Sequence, residues 1–212
     1  MRYGHYIIEY DRTGFPLIRR KEWGFFISLF PVSKYQFERF MSDAGPRGKL
    51  YTDGWYRQVL EVSQRQSWRK AGLTKTPWKM FLTGVSLEEI IPFLRYLGKG
   101  FRLPKAEEWK KLLEHSKELK LLKNELISCL KGGEVPPAPP VLFWIEKGLY
   151  PLVEEGLLEM IEGEEGSSKN GVICLGKAWQ GLWPNTLNPE DIKIIDLTLL
   201  PQAVGFRVVK EV

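Results

Sequence analysis

Gly100-Phe-Arg-Leu-Pro-Lys-Ala-Glu-Glu-Trp109, read together with Gly205-Phe-Arg207 much further along, is the stretch that decides the fold of this chain. A helix begins after Arg102-Leu-Pro104. Glu107 and Glu108 stand in its first turn, where negative charge complements the helix dipole. Trp109, Leu112 and Leu113 form its apolar stripe. The charge-rich run from Glu114 to Lys131 continues helically and reads as a solvated face. Arg102, Leu103 and Trp109 are expected to be structural, with Trp109 buried. Arg102 should be bonded to backbone or carboxylate near the domain centre, because a charge held there without partners is costly.

Working outward, Val85-Ser-Leu-Glu-Glu-Ile90 opens another helix, with Ser86 as N-cap and Glu89 completing a capping box. Ile90, Ile91, Leu94 and Leu97 are expected on its buried face, Pro92 lies in its first turns, and Gly98 or Gly100 ends it. Upstream, Ser33 is a good N-cap for a helix over 34–41, whose apolar face is Tyr35, Phe37, Phe40 and Met41. Residues 2–10 and 22–30 read as strands, and the turn formers Asp11-Arg-Thr-Gly-Phe-Pro16 between them predict a hairpin. Gly132 to Pro140 is a stiff proline-rich connector. Residues 43–82 form a loop-rich segment in which Trp55, Trp68 and Trp78 alternate with basic residues.

The 100–109 stretch resembles the G-x-R-L-P-T-E-A-E-W-E signature of the formylglycine-generating enzyme (sulfatase-modifying factor) family, and Gly205-Phe-Arg207 resembles the G-F-R that closes its fold. Pro31-Val-Ser33 with Gln36, Phe37 and Phe40 is similar to the family's P-V-T-x-x-Q-F-x-x-F, and Val85–Ile90 to its V-S-W-x-D-A. Gly148-Leu-Tyr150 followed by Gly156-Leu-Leu-Glu-Met160 resembles G-L-Y-D-M-x-G-N-V-W-E-W, keeping Glu159. Val172 to Trp179 resembles V-x-R-G-G-S-W, keeping Gly176 and Trp179. The resemblance implies an α+β, C-type-lectin-like fold, with few helices packed on irregular antiparallel sheet. It implies one domain over residues 1–212, in which 43–82 is a basic-aromatic insertion, 132–140 an internal connector, 180–202 a polar excursion and 204–209 the last strand.

The resemblance also supplies a chemistry to check. Oxygen-dependent members use two copper-binding cysteines just before the G-F-R, and a thiolate pair suits Cu(I). Here residues 180–204 contain no cysteine; the only two in the chain are Cys129 and Cys174. Related iron-dependent sulfoxide synthases need three histidines, and this chain has only His5 and His115. No P-loop, G-x-S-x-G or H-E-x-x-H motif offers another reaction. The acidic pairs Glu88/Glu89, Glu107/Glu108 and Glu154/Glu155 are sequence neighbours, about 100° apart on a helix, and read as solvated or dipole-complementing charges. The expectation is a pseudoenzyme with no catalytic residue, metal or cofactor.

What remains is a binding module. The same fold displays ligand-binding side chains between the G-G-S-W strand and the G-F-R strand in variable proteins of diversity-generating retroelements. The corresponding residues here are Gln180, Trp183, Asn185, Asn188 and Asp191, a mixture suited to a protein partner. They lack the dense Asn/Tyr/Ser run of a diversified cassette. The alternative is a nucleic-acid-associated subunit using Arg57, Trp68, Arg69, Lys70, Lys75 and Lys79, since basic residues interleaved with aromatics suit single strands. A third reading is an enzyme of unrecognised chemistry. The net charge of +5 permits an acidic partner without demanding one. Two cysteines, no apolar span and charges at Glu9, Asp11 and Arg12 point to a cytoplasmic protein with no membrane segment. The abundance of Lys, Glu and Arg with scarce Cys, Met and His resembles thermophile usage.

Overall fold

The computed structural model describes residues 2–44, 81–132, 157–163, 171–176, 188–197 and 204–212. The first strands are β1 (Arg2–Tyr3), β2 (Tyr6–Tyr10), β3 (Pro16–Arg20) and β4 (Phe25–Ser28). The expected hairpin between 2–10 and 22–30 is corrected: β2 pairs with β3, Ile8 opposite Ile18, and β4 is the third strand of a meander. Asp11 is buried and makes the turn. Its Oδ1 accepts the N–H groups of Thr13 (2.7 Å) and Phe15 (3.0 Å) and the Thr13 hydroxyl (2.6 Å). Pro16 then opens β3, the strand position where a missing N–H is best tolerated.

Helix α1 (Lys34–Ala44) starts at Ser33 as the sequence predicts. The Gln36 N–H donates to Ser33 Oγ at 3.2 Å and the Ser33 N–H to Gln36 Oε1 at 2.9 Å, a reciprocal capping box. Gln36 Nε2 also donates to Asp11 Oδ2 at 2.9 Å, so one side chain ties the helix start to the β2–β3 turn. The 43–82 segment is shorter than expected at both ends. The helix runs to Ala44, and buried Phe81 bridges to Ser33.

Helix α2 (Leu87–Leu97) is capped by Glu89, whose Oε2 accepts the Ser86 N–H at 2.7 Å. Its buried residues are Ile90, Phe93 and Leu97; Ile91 is 45% exposed and Leu94 only half-buried. The expected face is rotated because the Phe93 ring packs among Phe37, Phe40 and Phe206, with centroids 5.5, 5.7 and 6.0 Å away. After β5 (Phe101–Arg102) come α3 (Ala106–Glu114) and α4 (Ser116–Gly132), broken at His115. The charges of this run do face solvent at Glu114, Lys117, Glu118, Lys120 and Glu125, but α4 also has a buried face: Leu119, Leu122, Leu126 and Ile127 are buried, at helical spacing beneath the charges. Glu108 is buried as well. Its carboxylate accepts from Arg102 Nη1 and Nη2, both at 2.7 Å, and from the Lys105 N–H at 2.8 Å.

The strands β6 (Leu158–Met160), β7 (Gly171–Gly176), β8 (Lys193–Asp196), β9 (Val204–Phe206) and β10 (Val209–Glu211) complete the architecture. The first sheet has the order β1-β2-β3-β4-β10-β5 and the second β8-β7-β6-β9. Pairing is antiparallel except between β6 and β9, which are parallel. The chain is thus a mixed α+β structure with four helices among the described residues. The single last strand expected over 204–209 is two strands in two different sheets, separated at Arg207 and Val208.

Arg207 stands at that crossing and is fully buried. Its Nε donates to Glu159 Oε2 at 2.6 Å and its Nη2 to Glu159 Oε1 at 3.1 Å. Its Nη1 donates to the carbonyls of Ser28 (3.1 Å) and Leu29 (2.6 Å), in and after β4. Trp109 is fully buried, as expected, and its Nε1 donates to Glu159 Oε2 at 3.1 Å. Burial pushes the Glu159 carboxyl up, and Arg207 and Trp109 pull against it. Arg102 is bonded as expected but not central. It is half-buried beside β10, reaching Glu211 at 3.1 Å.

Removing one member of a buried pair leaves the other charge uncompensated. Arg207→Met should therefore cost about 3–5 kcal/mol in urea unfolding. Adding Glu159→Leu should restore only part of it, because the carbonyls of Ser28 and Leu29 stay unsatisfied. Burial pushes the Glu108 carboxyl up, but Arg102 and Lys105 together outweigh it and hold the carboxyl below its ordinary value. Its contribution is then present above the usual carboxylate range and lost as pH falls through the lowered value. The gap in Tm between wild type and Glu108→Gln should accordingly shrink in melts taken from pH 7 to pH 3.

Candidate functional site

Of the residues singled out for partner binding, Asn188 and Asp191 are described, and Gln180, Trp183 and Asn185 lie outside the described residues. The alternative surface of Arg57, Trp68, Arg69, Lys70, Lys75 and Lys79 lies outside them too, as do residues 133–140 of the proline-rich connector. Asn188 and Asp191 are exposed and sit on the turn that feeds β8. The Asp191 N–H donates to the Asn188 carbonyl at 3.2 Å, and Asn188 Oδ1 accepts the Glu190 N–H at 3.2 Å. The Gly176 N–H donates to the Pro189 carbonyl at 2.8 Å, which pins the turn to the end of β7.

The polar excursion expected over 180–202 contains a strand. β8 pairs antiparallel with β7, Ile194 opposite Ile173 and Lys193 opposite Cys174. Its side-chain pattern goes against the polarity rule at Lys193 and Ile194, which is why periodicity hides it. Lys193 turns inward, and its Nζ donates to the carbonyls of Asn188 and Asp191, both at 2.8 Å. Burial holds its ammonium below the ordinary lysine value, while the Asp191 charge pulls the other way. Ile192, just before the strand, and Ile194 turn outward instead, 60% and 70% exposed, while Ile195 is buried on the same side as Lys193.

Beside this strand lies a cavity of about 700 Å³. Ala106, Ile161, Ile173 and Ile192 give it an apolar lining, and Lys105, Glu107 and Glu162 add charge. It opens where α3 begins next to the ends of β6 and β7. Ile192 and Ile194 are the site residues that sequence reasoning missed.

The two cysteines sit on different elements. Cys174, on β7, is fully buried among apolar neighbours, and burial pushes its thiol up to about 12. Cys129, on α4, is half-buried and lies near Tyr10. Gly176 ends β7 at a φ of 97°, where a Cβ would meet the Leu157 carbonyl at 2.8 Å and the Trp109 ring at 3.4 Å. The position thus requires glycine both by conformation and by space.

Residues 3–117, more than half of the chain, match the family model of the sulfatase-modifying factor enzyme 1-like domain. Among curated proteins none matches. Among the described residues no helix is long and apolar enough to cross a membrane.

A thiol with so high a pKa is not a nucleophile near neutrality. In a Cys129→Ser protein, Cys174 should stay inert to a disulfide reagent at pH 8 and react fully once urea unfolds the chain. Gly176→Ala should lower stability by about 1–3 kcal/mol in the same denaturant.

Proposed function

This chain belongs to the sulfatase-modifying factor enzyme 1-like family, and on that premise we propose that it is a catalytically inactive member. On this reading it is a C-type-lectin-like binding module that recognises a protein partner through the loops between β7 and β9. The observation that carries the loss of activity is the state of Cys174. Copper and oxygen chemistry needs accessible thiolates. Cys174, the cysteine nearer the closing G-F-R, is sealed in the core as a protonated thiol, and residues 180–204 have none. Cys129 stands on α4 and Cys174 on β7, so the pair does not fit a copper centre. Support for binding comes from the exposed turn at Asn188 and Asp191, which continues into a strand that shows two isoleucines to solvent. Binding residues concentrate on loops carried by a rigid sheet.

Titrating the reduced protein with Cu(I) should give no tight stoichiometric complex; one that is lost on Cys→Ser at either position overturns the inactivity. Partner capture from the native source should survive nuclease. It should weaken in Trp183→Ala with Asn185→Ala, at nearly unchanged Tm, by the roughly 2 kcal/mol or more of a central aromatic anchor. If capture instead needs nucleic acid and is abolished by Arg69→Glu with Lys70→Glu, the basic 43–82 segment is the functional surface.

A further inference from the structure

Resting on the partner-binding reading, we propose that β8 is extended by a segment of the partner polypeptide, which adds to it as a strand and seats one apolar side chain in the adjoining cavity. Among the described residues β8 pairs only with β7 and stands at the margin of its sheet. Folded proteins blunt such edges with outward charges, because an open strand recruits another chain. Here the lysine is drawn inward to hold the turn, and isoleucines face out at 192 and 194. The cavity of about 700 Å³ shares Ile192 with that edge and is walled by Ile161 and Ile173. Strand addition works this way: main-chain bonds give affinity, and pockets for alternate side chains give specificity.

The same surface discriminates among occupants. A second copy related by a two-fold axis would set the same patch against itself and one concavity against another, leaving the cavities unfilled. A polyanion would meet Glu107 and Glu162 at the cavity, with Glu190 and Asp191 next to Ile192, against Lys105 as the one exposed cation among the described lining residues. An extended peptide of neutral or basic charge, with a large aliphatic or aromatic residue, satisfies both the edge and the cavity.

The probe is a displayed library of random peptides selected on the purified full chain, with the winners resynthesised carrying a fluorophore. Enriched sequences should hold a large apolar residue in a proline-free extended core. Their affinity should fall by at least about tenfold for Ile194→Lys, and equally when a central peptide N–H is methylated, at unchanged Tm. Three results overturn the proposal. They are the absence of any enriched peptide, enriched peptides indifferent to Ile194→Lys, and a native dimer in sedimentation that Ile194→Lys dissolves. Loss of peptide binding in Trp183→Ala with Asn185→Ala, while Ile194→Lys binds normally, refutes strand addition and leaves the loop reading standing. The reverse pattern keeps strand addition and removes the loop anchor.

Discussion

The structure turns on a carboxylate with two donors. Glu159 reaches the core on β6, takes the indole N–H of Trp109 from α3, and takes two guanidinium bonds of Arg207 at the crossing between the sheets. Arg207 spends its remaining nitrogen on carbonyls at the end of β4. Four segments distant in sequence are thus joined through two fully enclosed charges. Such a pair is weak evidence for added stability, since an apolar replacement often matches it. Its demand is geometric: each partner must be present and aligned, or a buried charge is left alone. That demand holds the second sheet against the first.

Several local features serve this junction. Gly176 lets the end of β7 approach the Trp109 ring and the Leu157 carbonyl. At Gly205 a Cβ would come within 2.8 Å of Leu157 and 3.0 Å of the Leu82 carbonyl, so a larger residue would push β9 off the core just before Arg207. The aromatic cluster of Phe37, Phe40, Phe93 and Phe206 fills the space between α1, α2 and β9. These contacts tie both sheets to the helices, and residues 180–204, which precede the closing G-F-R, contain no cysteine. The margin around β8 is where the surface departs from the ordinary pattern of outward charge, with Ile192 and Ile194 exposed.

The sequence by itself determined the elements that obey local rules. The caps at Ser33 and Ser86, the helix after Pro104 and the burial of Trp109 were legible because each depends on residues within a turn or two of one another, and family membership because several such short motifs recur in order along the chain. Gly176 and Glu159 stood out only as remnants of motifs. The tertiary structure alone decided what they were for, because their partners lie far along the chain. It moved the central arginine from Arg102 to Arg207, rotated α2 about Phe93, drew α4 into the core and split 204–209 between two sheets. It also turned Lys193 inward and Ile194 outward, against the polarity rule, because the bonded turn at 188–191 needs an ammonium on its carbonyls. Local pattern reports what a residue prefers; only the assembled contacts decide which preference prevails.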